Sequence, residues 1–315
     1  MTKSKIKILR EGINSTFQDL GRNNFYHIGL PFSGAMDKRN YLIGNQLVSN
    51  KLEKPVIEFA FQGPLLKLTG EKVNFNITGN VNFNIIKNQN TIEGNCYQNY
   101  ILEDGDELDI LSTNNSVYGY LSISGNFDVQ YQWNSCSTNT KAKIGANEGK
   151  KIEKDQLLNI SKLHFKNLKR KLEYVNSKIE NIRVIKGTNF DYFSKQGKKI
   201  FFEKEFTVTK LSDRMGMRLE GVKIENIVDT NIKSEGLIKG VIQVPADGNP
   251  IIMLSDHGTI GGYPKIGVVI SADYDKLVQL PPGSKIKFKQ IELSEAEMLF
   301  KLYQMETKNL ALKIQ

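Results

Sequence analysis

Short runs of apolar and β-branched residues, separated by turn residues, recur along most of the chain. They favour Val, Ile, Phe and Tyr, and several alternate apolar with polar positions, as strands with one buried face do. This pattern predicts ten strands and a mainly β protein. The predicted strands span residues 5–11, 56–61, 73–77, 81–86, 107–111, 118–124, 183–187, 206–211, 240–245 and 285–291.

Only two segments have clear helical spacing. Residues 37–48 place their apolar side chains on one face, with Asp37 at the position of an N-cap. Near the C-terminus, Ser294 and Glu297 match a capping box that opens a second helix. The stretch 163–178 fits either a short basic helix or a linker.

The chain also repeats itself at a nearly constant separation of 175 to 179 residues. This repeat predicts two related β-rich halves, residues 1–170 and 171–315, although unrelated β domains also share turn glycines. The matched positions are Gly12 with Gly187, Ser33 with Ser212, Glu58 with Glu235, Gly63 with Gly240, and Gly105 with Gly283.

Composition narrows the class of protein without revealing its function. A chain of 315 residues, 39% hydrophobic and 24% charged, is typical of a globular protein with one or two domains. Its net charge of +9 is densest at residues 162–171, where no aromatic nucleic-acid signature accompanies it. We therefore expect a cytoplasmic protein that binds neither nucleic acid nor membrane. Two cysteines outside any CxxC pair also predict no disulfide framework.

The segment from Pro245 to Lys265 concentrates candidate chemistry around one short apolar run, residues 251–254. The run predicts a buried strand between two loops. Gly261 and Gly262 would let backbone N–H groups turn toward a bound anion or carbonyl group. A tight turn with polar decoration is the alternative. The candidate catalytic residues here are Asp247, Asp256, Tyr263 and Lys265.

Two further loops carry charged residues whose roles the sequence leaves open. Arg22 could hold a substrate carboxylate in a two-point fork, or it could pair with Asp19. Asp37 could accept a proton, but capping the following helix is the favoured interpretation. Asp213 beside Arg214 could form an anion-binding corner or a surface ion pair.

Several common chemistries lack their sequence signatures. The chain has no GxxxxGK[ST] phosphate loop, no GxGxxG opening a strand-to-helix unit and no GxSxG elbow. Its three histidines lack metal-ligand spacing, so no metal site is expected. Cys136 has no neighbouring His in the sequence and is interpreted as a small packing residue.

Taken together, the motifs resemble the biotin-dependent carboxyltransferase family, also called the allophanate hydrolase subunit 2 family. The resemblance runs from about residue 6 to 291 and implies two cyclophilin-like β-barrel domains with few helices. Cys136 stands where the family usually has Arg, and Gly258 where it often has Gln. The motifs are STFQDLGR, GLPFSGAMD, IEFAFQGP, SDRMGMRLEG, IQVPADGNPIIML, DHGTIGGYPKIG and QLPPG.

The resemblance also implies a class of reaction. Stand-alone members are similar to the C subunit of bacterial 5-oxoprolinase, which uses ATP and partner subunits A and B to open 5-oxo-L-proline to L-glutamate. Fused members transfer carboxylate from carboxybiotin to urea. Members of the family have also been named antagonists of a histidine-kinase inhibitor, which is a regulatory role. The chain lacks an AMKM-type biotin site, so no biotin is expected on it. We therefore favour a role within 5-oxoprolinase over a separate carboxyltransferase or a regulatory partner of the B-type subunit.

Residue chemistry then suggests roles that the resemblance does not assign. Arg214 would hold the substrate carboxylate, and Tyr263 with Lys265 would face developing negative charge. An acidic residue, Asp213, Asp247 or Asp256, would orient water or a proton. The candidate substrate-binding residues are Arg22, Arg214, Gln243, Gly261 and Gly262.

Overall fold

A computed structural model describes residues 4–161, 165–174, 179 and 181–314. The chain divides into two compact units. The first unit comprises residues 1–22, 33–176 and 307–315, and the second comprises residues 23–32 and 177–306. The division predicted at residues 170 and 171 stays a prediction.

Among its described residues, the first unit contains two sheets, the α-helix α1 (Lys38–Leu47), a short 3-10 helix and the end of the C-terminal α-helix. One sheet has seven strands in the order β11-β12-β1-β4-β9-β6-β7, and the other has five in the order β2-β3-β10-β5-β8. The strands are β1 (Ser4–Arg10), β2 (Thr16–Gln18), β3 (Val56–Ala60), β4 (Leu65–Gly70), β5 (Val73–Thr78), β6 (Val81–Lys87), β7 (Asn90–Glu93), β8 (Tyr100–Leu102), β9 (Glu107–Thr113), β10 (Tyr118–Ile123), β11 (Asn126–Phe127) and β12 (Leu157–Ser161).

Helix α1 packs on β5 and β10, which are buried along their whole length. The approach is close, because a Cβ atom on Gly44 would lie 2.5 Å from Oγ of Ser122. Asn76 in β5 donates to the Gly44 carbonyl oxygen at 2.9 Å. Polar side chains therefore connect the outer face of this sheet to the helix, while the inner face carries the apolar core.

The second unit contains a closed barrel with strand order β13-β20-β17-β18-β15-β14-β21 and a separate two-stranded ribbon of β16 and β19. Strands β13 and β21 run parallel, whereas the other neighbours in the barrel are antiparallel. The strands are β13 (Asn181–Lys186), β14 (Phe206–Val208), β15 (Gly216–Gly221), β16 (Glu235–Gly236), β17 (Val241–Gln243), β18 (Ile251–Met253), β19 (Ile260–Gly261), β20 (Lys265–Val269) and β21 (Lys285–Gln290).

Three more α-helices follow α1 among the described residues: α2 (Lys195–Glu203), α3 (Ser271–Leu277) and α4 (Leu293–Leu312). Helix α2 packs on β21, where the rings of Phe201 and Phe288 stack with centroids 4.5 Å apart. Short 3-10 helices span Tyr26–Ile28, Asn147–Gly149 and Phe190–Tyr192.

The mainly β prediction with few helices is confirmed, and each of the ten predicted strands overlaps an observed one. Asp37 caps α1, its carboxylate accepting the N–H of Asn40 at 3.0 Å, as the favoured interpretation predicted. The capping box at Ser294 is wrong, because α4 already begins at Leu293 and Ser294 lies inside its first turn. The stretch 163–178 was predicted to be a short basic helix or a linker. Its residues 165–174 contain no helix, and its other residues lie outside the described part of the chain.

Candidate functional site

The Lys265 ammonium group forms the centre of the candidate site in the second unit. Its side chain is 4% exposed, and Nζ lies 2.9 Å from Oε2 of Glu235, a side chain that is 43% exposed. Burial of a charge costs free energy unless a partner compensates, and Glu235 is that partner. The Lys265 ammonium in turn lowers the pKa of the Glu235 carboxyl through their hydrogen bond. The sequence motifs indicated Lys265 as a site residue but not Glu235.

Asn189 holds both members of this pair. Its Oδ1 accepts the backbone N–H of Lys265 at 3.1 Å, and its Nδ2 donates to Oε1 of Glu235 at 3.4 Å. The buried Asn189 amide therefore fixes the strand that carries the ammonium and the carboxylate that neutralises it. No sequence motif indicated Asn189.

Gln243 lies beside Lys265, as its register partner in the neighbouring strand. The buried Gln243 amide donates to the Tyr263 carbonyl oxygen at 3.1 Å, and Nζ of Lys265 lies 3.5 Å from the same oxygen. The structure thus brings together Gln243, Lys265 and the backbone of Tyr263. The phenol of Tyr263 is 39% exposed.

The two glycines of this segment allow close packing beneath the site. A Cβ atom on Gly261 would lie 2.7 Å from Nε2 of Gln243 and 2.7 Å from Cδ1 of Leu237. At Gly262 it would lie 3.1 Å from the carbonyl oxygen of Ile232. The absence of a side chain at Gly261 is therefore required for Gln243 to occupy its observed position. Binding of an anion by these backbone N–H groups stays a prediction.

Arg214 and Asp256 form a second charged pair. Nε of Arg214 donates to Oδ2 of Asp256 at 2.8 Å, and Nη2 donates to Oδ1 at 3.1 Å. Both side chains are largely buried, at 12% and 5% exposure. Such a fork is strong and specific, so a substrate carboxylate would have to compete with Asp256 for these two donors.

The other two acidic candidates support turns. Oδ1 of Asp213 accepts the N–H groups of Met215 and Gly216 at 2.8 and 3.2 Å. Asp247 accepts the backbone N–H of Asn249 at 3.1 Å and its side-chain amide at 2.9 Å. Water can reach both carboxylates, because neither residue is buried. Their predicted catalytic roles have no support beyond this accessibility.

Arg22 lies in the first unit, in a buried cluster of polar side chains. Nη2 of Arg22 donates to the Ser137 carbonyl oxygen at 2.5 Å. The neighbouring Asp19 carboxylate accepts the hydroxyls of Ser135 and Ser137 at 2.6 Å and the Cys136 N–H at 2.7 Å. Cys136 itself is fully buried in the apolar core, and burial raises the pKa of its thiol. Its interpretation as a packing residue agrees with these surroundings.

The structure also brings together Tyr26 and His257, and only His257 lies in the segment from Pro245 to Lys265 that the sequence motifs indicated. Their hydroxyl and Nε2 atoms lie 3.1 Å apart, although 231 residues separate them in sequence. Burial lowers the pKa of His257 and raises the pKa of Tyr26 to about 12. Both residues belong to the second unit, because residues 23–32 group with it.

The described residues offer little that points to a second site. Among them, no group of three or more His, Cys, Asp or Glu side chains could hold a metal ion. A cavity of about 150 Å³ lies in the first unit between Phe17, Phe127 and Leu157, and none of the predicted site residues lines it. No helix in the described parts of the chain has the length and apolar character needed to cross a membrane.

The chain is similar to known proteins over nearly its whole length. Residues 28–290 match the family model described as carboxyltransferase domain, subdomain A and B. The C subunit of 5-oxoprolinase from Haemophilus influenzae is 32% identical over 295 residues, which cover 93% of this chain and 94% of that protein. The protein of the same name from Escherichia coli is 31% identical and is covered to 93%.

A similar solved structure is that of the K. lactis urea amidolyase. It superimposes with a TM-score of 0.88 at 25% sequence identity, and the match covers 98% of this chain. The chain spans only 20% of that larger protein.

Proposed function

We propose that this chain is the C subunit of an ATP-dependent 5-oxoprolinase complex, because it belongs to the family described as "carboxyltransferase domain, subdomain A and B". With A and B subunits, it would open 5-oxo-L-proline to L-glutamate in the cytoplasm. One observation carries this proposal. The similarity to the Haemophilus influenzae protein extends over nearly the full length of both chains, whereas the similarity to urea amidolyase covers a fifth of that protein.

The chemistry of the reaction suits a buried ammonium group. Transfer of a phosphoryl group from ATP to the lactam oxygen would activate the carbonyl carbon toward water. Attack by water, cleavage of the C–N bond and protonation of nitrogen would then yield an acyl phosphate. A second water would hydrolyse this acyl phosphate to the amino acid and phosphate. Negative charge develops on oxygen during these steps, and a preorganised donor there is worth about 3 kcal/mol. The contacts of Lys265 with Glu235 and Asn189 support this role, because they fix the ammonium group and its strand in position.

The remaining candidates have supporting roles in the proposal. Gln243 and the glycine pair would line the substrate position, and Arg214 would attract the substrate carboxylate from beside Asp256. One of three acidic residues would orient water or a proton. Asp213 and Asp247 are accessible to water, whereas Asp256 would do so while paired with Arg214. Arg22 is a further binding candidate in the first unit.

ATP enters this proposal as a co-substrate of the whole complex. The sequence contains no GxxxxGK[ST] phosphate loop, so we assign ATP to the complex and not to named residues of this chain. No biotin is attached in this proposal, because the chain lacks the AMKM-type site for it.

A second candidate function is carboxyl transfer to urea or a related amide, with biotin supplied by another protein. The similarity to the K. lactis urea amidolyase structure favours it. Lys265 would then face the oxygen of a carboxylated biotin or of the acceptor amide.

Reconstitution distinguishes the two functions. The chain is co-purified with A and B subunits, and release of glutamate from 5-oxoproline is measured with and without ATP. We expect ATP-dependent release that requires all three subunits. If the same A and B preparations are active with the Haemophilus influenzae protein but not with this chain, the proposal is wrong. Carboxylation of urea from a carboxybiotin donor would then support the second function.

A further inference from the structure

A series of hydrogen-bonding groups runs from His257 through Tyr26 to the backbone of Leu237. Nδ1 of His257 lies 2.6 Å from the Gly258 carbonyl oxygen. Oη of Tyr26 lies 3.1 Å from Nε2 of His257, 3.4 Å from Nδ1, and 2.5 Å from the Leu237 carbonyl oxygen. All four residues lie in the second unit.

Every group in this series has a hydrogen-bond partner only when His257 is charged. A carbonyl oxygen can only accept, so Nδ1 must carry a proton for Gly258 and the Tyr26 hydroxyl must point at Leu237. The Tyr26 oxygen then offers only lone pairs to Nε2, which forms a hydrogen bond if it too is protonated. A neutral His257 leaves one hydroxyl proton for two acceptors, Nε2 and the Leu237 oxygen.

The groups around the imidazole set its charge. His257 is 1% exposed, and burial disfavours the charged form, as does the nearby Lys239 ammonium. The Gly258 carbonyl and the Asp256 carboxylate favour the charged form, although Asp256 is shared with Arg214. Lys239 lies over the ring of Tyr274, 4.6 Å from its centroid. Because burial is the largest of these effects, His257 is neutral at neutral pH and gains its second proton under acidic conditions.

Leu237 connects these groups to the candidate site. It directly follows β16, which carries Glu235, and its N–H donates to the Thr259 carbonyl oxygen at 2.9 Å. Its side chain packs against Gly261 in the opposite strand of the ribbon. A firm hydrogen bond from Tyr26 to the Leu237 oxygen, here called the Tyr26 clamp, therefore restrains the strand from which Glu235 reaches Lys265.

We propose that Tyr26 is a positioning residue for the Glu235–Lys265 pair, and that the charge on His257 decides how firmly Tyr26 holds Leu237. Protonated His257 accepts no hydrogen bond, so the hydroxyl stays on Leu237. Neutral His257 competes for the hydroxyl and loosens the ribbon. The effect on turnover rests on the proposed function, whereas the Tyr26 clamp itself is a property of the isolated chain.

The Tyr26 clamp can be tested by NMR on the isolated protein with ¹⁵N-labelled histidine. Nδ1 of His257 should remain protonated throughout the titration, and His257→Gln identifies its signals. Tyr26→Phe removes the acceptor that completes the charged state, so the acid dissociation constant of His257 should rise about tenfold. Tyr192→Phe, which alters a half-exposed tyrosine of the same unit, should leave it unchanged.

Hydrogen exchange at the Leu237 amide supplies the second readout. After correction for intrinsic rates, protection should be several-fold higher at about pH 5 than at about pH 8 in the unmodified chain. Tyr26→Phe and His257→Gln should both remove this difference, while Tyr192→Phe keeps it. Equal protection at both pH values, or an unchanged His257 titration in Tyr26→Phe, would overturn the proposal.

Turnover separates a failure of the Tyr26 clamp from a failure of the proposed function. In an active reconstituted complex, Tyr26→Phe should lower kcat and alter its pH profile, whereas Tyr192→Phe should do neither. A complex that never releases glutamate refutes the proposed function and leaves the NMR and exchange results to decide the clamp. An active complex with the same kcat and pH profile in Tyr26→Phe overturns the positioning role even if the clamp exists.

Discussion

Nζ of Lys265 and Oε2 of Glu235 lie 2.9 Å apart, yet one side chain is buried and the other is half-exposed. The two partners therefore lose different amounts of hydration when the pair is broken. A lone Glu235 can be solvated by water, whereas a lone Lys265 ammonium remains buried without its carboxylate.

This asymmetry predicts unequal costs for two substitutions. Glu235→Gln should lower the free energy of unfolding by about 2 kcal/mol, because it leaves the buried ammonium poorly compensated. Lys265→Met retains the buried aliphatic volume, removes the charge and should cost less. Urea unfolding of both variants measures the difference. A larger loss in Lys265→Met would contradict this explanation.

Gly261 and Gly236 offer a matched comparison on opposite strands of one ribbon. Gly261→Ala should cost about 1 to 3 kcal/mol, because its Cβ would lie 2.7 Å from both Gln243 and Leu237. Gly236→Ala meets no atom within 4 Å and should change stability little. Thermal unfolding of the two variants tests the comparison, and equal effects would show that the contact at Gly261 is unimportant.

The buried fork between Arg214 and Asp256 should contribute more than an exposed ion pair. Asp256→Asn should destabilise the protein by about 3 kcal/mol, since a largely buried guanidinium loses its carboxylate. Asp191→Asn breaks a pair between Lys198 and a fully exposed carboxylate and should cost less than about 1 kcal/mol. Denaturant titration of both variants under one buffer condition measures the contrast; similar losses would refute it.

The lowered pKa of His257 predicts how stability depends on pH. Between its pKa in the folded state and the ordinary value near 6.5, the unfolded chain binds more protons than the folded one. Stability contributed by neutral His257 is therefore present above about pH 6.5 and is lost as pH falls toward the folded-state pKa. His257→Gln should reduce this loss in urea titrations, whereas replacement of exposed His27 should not. Parallel stability–pH curves for the unmodified chain and His257→Gln would contradict the assignment.

Local patterns predicted about half of the strands in the described residues and some details of the loops. Alternation identified strands such as β1 and β21, and the position of Asp37 before an apolar face identified the cap of α1. No sequence pattern predicted helix α3, because the helix is short and rich in polar residues. One of these, Asp273, is fully buried and pairs with Arg183 from β13.

The candidate site was only partly accessible from sequence, because strand pairing assembles it from distant segments. The motifs of the 245–265 segment indicated Lys265 as a candidate, but its partner Glu235 is brought to it by the pairing of β16 with β19. Tyr26 joins His257 across 231 residues, with no local signal to connect them. Asp213 and Asp247 accept N–H groups only two or three residues further along the chain, so these contacts belong to local turns.

The proposed function at the Lys265 site is tested most directly by ATP-dependent glutamate release from a reconstituted complex of A, B and C subunits. In this complex the C subunit is this chain carrying Lys265→Met. Loss of a preorganised cation should lower kcat by about 100-fold or more. Lys287→Met, which removes an exposed lysine of β21, should leave kcat unchanged. An assembled Lys265→Met complex that turns over as fast as the Lys287→Met complex would contradict the assignment of the chemistry to this site.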